Sequence, residues 1–187
     1  AVLVAAAAQM GRFYDLPTGV ASGMTDSKLP DAQAGSEKAY HHALIANAGA
    51  NMIYESVGVH ASAMVSCRES MVIDNELVGA ILRTLRGIET DTNFDDLSII
   101  RNVCLDGPGH YLGHADTFKR MKSDFLYPVI SDRLSPDQWI EAGSLNMLER
   151  AEKLTRTILN NHHPAHIPES IDKRIRDNFN ICIDRSN

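Results

Sequence analysis

Apolar residues recur at helical spacing along most of this chain, and two short stretches break that rhythm near its start. Residues 1–14 are alanine-rich, favour helix and are stopped by Pro17. Residues 18–23 (Thr18, Gly19, Val20, Ala21, Ser22, Gly23) form the first strand candidate. Small residues there suit a strand buried on both sides, or one whose end faces a ligand. A polar loop, 24–30, follows, and Asp31 then caps a predicted helix running to about Gly49. Tyr40, Leu44, Ile45 and Ala48 give that helix its apolar face. Residues 51–57 are the second strand candidate. Strand, loop, helix and strand over 17–57 make one βαβ unit, so the two strands are expected to run parallel.

Beyond Val57 the pattern reads as almost wholly helical. Ile73, Leu77, Val78, Ile81, Leu85 and Ile88 mark one long amphipathic helix. Phe94, Leu97, Ile100, Arg101 and Cys104 mark another, with Gly107 as its stop. Phe118, Met121 and Phe125 mark a third, ending near Pro128. Ser135, Pro136 and Gln138 form a strong start signal for a helix continuing through Trp139, Ala142, Leu148, Ala151, Leu154 and Ile158 to about Asn160. Pro164 and Pro168 interrupt, and a short helix over 169–179 closes the chain. The predicted class is α/β, predominantly helical with few parallel strands. Two strands do not make a sheet that stands alone. The remainder is therefore expected to be missing, supplied by another copy, or hidden in segments read as helix. The opening on Ala1, with neither initiator methionine nor helix cap, also predicts a piece from the C-terminal side of a longer protein.

Composition narrows the function classes. The 187 residues are 44% hydrophobic and 22% charged, enough for a core in one domain or part of one. A net charge of -6 argues against general binding to phosphate backbones, hence no nucleic-acid partner. No apolar run reaches membrane-spanning length, and the start does not resemble a signal peptide, so no membrane partner and a cytoplasmic location are expected. Cys67, Cys104 and Cys182 lack any CxxC spacing and read as buried, reduced thiols rather than zinc ligands.

Parallel strands bind ligands beyond their C-terminal ends. The loop 23–30, with Thr25, Asp26, Ser27 and Lys28, and the loop after Tyr54, Glu55 and Ser56, reaching Gly58 and His60, would then lie side by side. They would surround one pocket with a carboxylate, hydroxyls and an aromatic ring. The plainer alternatives are loop capping for Asp26 and Ser27 and core packing for Tyr54. The densest motif is 106–114 (Asp-Gly-Pro-Gly-His-Tyr-Leu-Gly-His), followed by Thr117 and the run 119–124. His110 and His114 are four apart, but without the glutamate of HExxH they read as hydrogen-bonding groups, not metal ligands. His162, His163 and His166 read as a solvated turn, and Lys119, Arg120 and Lys122 as a solvated helix face. Asp74 reads as a carboxylate near a helix start, where the dipole favours it; Glu76 is a further candidate carboxylate. No P-loop, GxGxxG or GxSxG occurs.

Thr25-Asp26-Ser27-Lys28 with 31–35 and Glu37, then 50–54, 72–76, 109–114 with Thr117, and 128–133, together resemble the C-terminal part of the trimethylamine:corrinoid methyltransferase family, in the same order and over nearly the whole chain. The resemblance implies a TIM-type (β/α)8 barrel with its site at the C-terminal mouth of the strands. It implies transfer of a methyl group from a tertiary or quaternary amine to a cobalt corrinoid (cobalamin) carried by a separate partner protein, with none bound covalently here. A whole barrel takes about 250 residues. This chain would therefore be a single C-terminal unit, with 1–60 the last βα units and 61–187 mainly helical. Thr25, Asp26, Tyr54, Glu55 and His110 are the residues expected at the small methylated amine, since aromatic faces and carboxylates hold a diffuse cation. No catalytic residue is assigned, because reduced cobalt is itself the nucleophile, and the histidine and cysteine spacings assign no metal ligand. Archaeal trimethylamine members carry pyrrolysine in the barrel. Matching places that position near 22–25, where only standard residues stand, which favours a quaternary amine such as a betaine. The rival expectation is a non-catalytic helical module that binds a partner through its sheet edge. Either way the isolated chain is expected to be inactive and to self-associate as a homo-oligomer.

Overall fold

The computed structural model describes residues 1–90, 95–162, 164 and 166–182. Helix α1 (Val2–Phe13) leads into strand β1 (Gly19–Ala21), helix α2 (Ala32–Ala48) and strand β2 (Met52–Tyr54). The βαβ unit forms as expected: β1 and β2 pair in parallel, with Gly19 opposite Met52, Val20 opposite Ile53 and Ala21 opposite Tyr54. Both ends of α2 follow from local chemistry. The Asp31 carboxylate accepts a hydrogen bond from the Ala34 amide, and Gly49 stops the helix in the left-handed region at φ 92°.

The core lies where α1 and α2 cover one face of this two-stranded sheet. Ala5 and Ala8 from α1, Val20 from β1, and Ile45 and Ala48 from α2 are buried together, with Val4, Leu44, Ala50 and Ile53 packed around them. Alanine at these positions lets helix and sheet backbones approach closely. Tyr40 departs from the predicted apolar face and is exposed; Lys38 and His42 are buried in its stead.

The chain beyond Val57 is not immediately helical. Strands β3 (Val59–His60) and β4 (Val65–Ser66) form an antiparallel hairpin before the long helix α3 (Arg68–Arg86) begins. Its four-residue tip holds Ala61, Ser62 and Ala63 at φ 50°, 54° and 67°, closed by a bond from the Met64 amide to the Ala61 carbonyl. α3 packs on α2 and, on its other side, on α7 (Met147–Asn161).

Helices α4 (Asp96–Cys104) and α5 (Ala115–Ser123) follow, joined by an exposed loop. Phe94, the first residue predicted for the former, lies outside the described residues. The cap of α4 falls at Leu105, two residues before Gly107. The helix predicted over 135–160 divides in two. α6 (Pro136–Glu141) starts with the expected Ser135–Gln138 capping box, but Gly143 and Ser144 take φ 94° and 54°. Asn146 and Glu149 then build a second capping box that starts α7. The apolar rhythm continues across the break, which is why spacing alone misses it. α8 (Glu169–Asn178) ends the described fold. The cysteines are free but not buried: Cys67 is half-buried, Cys104 and Cys182 exposed. Among the described residues, no helix is long and apolar enough to cross a membrane.

Candidate functional site

The parallel pairing of β1 and β2 brings their C-terminal ends together, and the Ser22 amide extends the ladder by donating to the Tyr54 carbonyl at 3.2 Å. The chain must then turn at Gly23, where φ is 92°. A side chain is also excluded by space, because a Cβ there would lie 2.4 Å from His42 Nε2 and 2.5 Å from the Ser56 carbonyl oxygen. His42 Nε2 donates to that carbonyl at 2.9 Å, and burial holds the imidazole below its ordinary pKa.

Thr25 and Asp26 are fixed by Glu37 of α2. The buried Thr25 hydroxyl donates to Glu37 Oε2 at 2.5 Å, and the Asp26 amide donates to the same oxygen at 3.0 Å. Gln33 donates to Oε1 at 2.8 Å. The Thr25 hydroxyl foremost, then Gln33 and the Asp26 amide, hold Glu37 below the usual carboxylate range. Asp26 itself is exposed. Ser27 and Asp31 bond each other at 2.8 Å, so Ser27 has the loop-capping role that was its plainer reading.

Tyr54 is 45% exposed, on the sheet face away from the helices. Its ring edge lies within 3.7 Å of where a Cβ on Gly19 would stand, so the glycine leaves room for the ring across the strand pair. Tyr54 is therefore not a core residue. Glu55, beside it, is exposed and left-handed at φ 58°. Thus four of the five expected amine-site residues, Thr25, Asp26, Tyr54 and Glu55, sit at two adjoining strand ends. His110 is in the exposed loop between α4 and α5, and no hydrogen bond links it to those four.

The loops rest on a polar cluster that spacing did not single out. Lys38, His60, Ser70 and Asp74 are each 3% exposed or less. Lys38 Nζ donates to Asp74 Oδ2 at 2.6 Å, and the Gly58 amide donates to the same oxygen at 2.8 Å. His60 Nε2 lies 2.5 Å from Ser70 Oγ and 3.4 Å from Lys38 Nζ, while Nδ1 lies 3.3 Å from the Ser27 carbonyl. A carbonyl only accepts, so Nδ1 carries the proton and Nε2 accepts. Burial first, then the Lys38 cation, holds this imidazole below its ordinary pKa. Asp74 is therefore not a helix-start carboxylate but the buried partner of Lys38, well inside α3. The one available signal was the register of Lys38 and His42 with Ile45 on the core side of α2.

The remaining motifs have structural partners. Glu76 accepts the amides of Val129, Ile130 and Ser131 and the Ser131 hydroxyl, pinning 129–131 to α3. Burial pushes its carboxyl up, but those bonds together bring it below the usual range. His110 and His114 do not share a helix, and His114 Nδ1 caps α5 by accepting the Asp116 amide. In the predicted solvated face, Arg120 pairs with Asp116 at 2.7 Å and Asp124 at 3.5 Å. His163 lies outside the described residues, and His162 caps α7. Among the described residues, no three His, Cys, Asp or Glu side chains converge as a metal site.

The pattern that defines the trimethylamine methyltransferase family (MTTB) matches residues 1–181. This chain belongs to that family. It is 31% identical over 177 residues to a glycine betaine methyltransferase of Desulfitobacterium hafniense, covering 94% of this chain and 36% of that protein. It is 31% identical over 172 residues to a trimethylamine methyltransferase from another strain of the same species, covering 92% and 34%. A trimethylamine methyltransferase of Methanosarcina thermophila is 31% identical over 173 residues, covering 92% and 35%. The chain thus spans about a third of the length of the curated relatives it matches. The predominantly helical structure, with few short strands, is consistent with an α/β class.

Proposed function

We propose that this chain is the C-terminal portion of a corrinoid-dependent amine methyltransferase, with β1 and β2 the last strands of a TIM-type barrel. The substrate is a small methylated amine, and the methyl acceptor is the cobalt of a corrinoid carried by a partner protein. The observation that supports this most is the parallel pairing of β1 and β2, from whose neighbouring C-terminal ends the loops carrying Asp26 and Glu55 emerge, with Tyr54 at the end of β2. A methylated ammonium is a diffuse cation, attracted by the face of an aromatic ring and by carboxylates. Tyr54 is exposed on the sheet face that would line a barrel, and Asp26 and Glu55 are exposed at its rim.

In this reading the protein binds and orients the amine so that one methyl carbon faces the cobalt, and it excludes water. The C–N bond breaks as the Co–C bond forms, and the amine leaves with its electron pair. The corrinoid, carried by its own protein, enters as the second substrate and accepts the methyl group. A quaternary amine such as a betaine is favoured. Only standard residues stand at 22–25, and a quaternary nitrogen leaves as a neutral amine.

The test uses the full-length protein with a reduced corrinoid protein and a panel of methylated amines. Methylation of cobalt, read from its absorption spectrum, is expected with at least one quaternary amine. A flat spectrum with every amine would overturn the reading.

A further inference from the structure

Asp26 meets the antiparallel hairpin through a single side-chain bond. Ser62 Oγ donates to Asp26 Oδ1 at 2.5 Å, while Oδ2 takes no hydrogen bond from the described residues. One oxygen is therefore fixed and the other open. Ser62 is also the middle residue of three consecutive non-glycine left-handed residues, 61–63. Such conformations cost free energy and persist where the surroundings over-determine them, as they do at ligand sites.

Here the surroundings are visible. The Ala61 amide donates to the Ser27 carbonyl at 3.0 Å and the Ser62 amide to the Thr25 carbonyl at 3.3 Å, so the tip is laid along the 25–27 loop. The hairpin's root is held from below. Asp74 takes the Gly58 amide as well as Lys38, and His60, which begins the turn, is held between Ser70, Lys38 and the Ser27 carbonyl. A tight turn needs none of this.

We propose that Ser62 is a positioning residue of the amine site, orienting the Asp26 carboxylate so that Oδ2 faces the bound cation, with the buried Lys38, Asp74, His60 and Ser70 cluster holding the hairpin in register. This rests on the reading of Asp26 as an amine contact. The role is specific to a donor on a left-handed backbone. Glycine supplies the backbone without the donor, and asparagine supplies both, since it tolerates this region better than other side chains.

The experiment measures cobalt methylation by the full-length protein at varied amine, giving KM and kcat, with the thermal midpoint alongside. Ser62→Gly is expected to raise KM about tenfold, the scale of one lost charge-assisted bond, with kcat and midpoint nearly unchanged. Ser62→Asn is expected to stay within about threefold of the wild type, because it keeps a donor. In a background of Asp26→Ala, which itself raises KM, Ser62→Gly should add nothing, since it acts through that carboxylate. Should Ser62→Gly melt early, Ser62→Ala, which also lacks the donor, decides the matter: its KM should rise as well, and that rise should vanish in the Asp26→Ala background. Wild-type KM in Ser62→Gly, or additive losses in the double variant, would overturn the proposal. An inactive wild type would instead overturn the amine reading beneath it.

Discussion

His60 and His42 both sit where a proton is unwelcome. Burial disfavours the imidazolium at each site, and at His60 the Lys38 cation adds to that, against partial relief from Asp74 and Asp31. Both folded-state pKa values therefore lie below the ordinary 6.5. Below that value the unfolded chain binds protons that the folded chain refuses, so stability falls as pH falls. Depressed carboxylates such as Glu37 and Glu76 act in the same direction, but only in the more acid range below their ordinary 4.5. Urea unfolding at pH 7.5 and 5.5 should thus show a lower midpoint at pH 5.5, and His60→Gln together with His42→Gln should flatten the difference. A midpoint that rises on acidification would refute the neutral assignment of these rings.

At the scale of elements, α2 and α3 are held by one buried ion pair between residues 36 positions apart. Removing either member leaves the other charge buried and unpaired, which typically costs about 3–5 kcal/mol. Lys38→Met and Asp74→Leu should each lose about that much in denaturant unfolding. The double variant should recover a large part, because two apolar chains can fill the space and only the Gly58 amide is orphaned. Additive losses would show that the pair is not coupled. This contact was illegible from periodicity, since a lysine and an aspartate on otherwise ordinary helices read as solvated or as dipole partners. What was legible had local causes: the Asp31 cap, the Gly49 stop and the Ser135 capping box. The parallel pairing of β1 and β2 followed from the crossover rule rather than from any single residue. The hairpin was missed because its two-residue strands are too short to show alternation. Four of the expected amine-site residues could be grouped at two neighbouring strand ends because topology groups them, whereas no rule of spacing could relate His110 to them.

The whole molecule has two unlike halves. Residues 1–86 pack through α1, α2, α3 and the strand pair, and α7 joins them along α3. Helices α4, α5, α6 and α8 make at most marginal contact with the other described elements, although Arg83 and Arg86 of α3 donate to the Asp124 and Ser123 carbonyls at the end of α5. Their apolar side chains are correspondingly open: Leu97 is 79% exposed, and Leu112 is 76% exposed in the loop before α5. In the first half, Leu3 of α1 is 85% exposed and Met52 and Tyr54 stand out from the uncovered sheet face. Neither β1 nor β2 has a second strand partner among the described residues. Unpaired strand edges and exposed apolar patches favour association over a monodisperse monomer. The chain as given is therefore expected to elute from a sizing column well above the 20.6 kDa of one copy, and to bind a hydrophobic dye such as ANS. Lysine at Leu3 and Met52 should reduce both signals, since charge on an exposed edge or face opposes pairing. A clean monomer without dye binding would refute the association expected from these exposed surfaces.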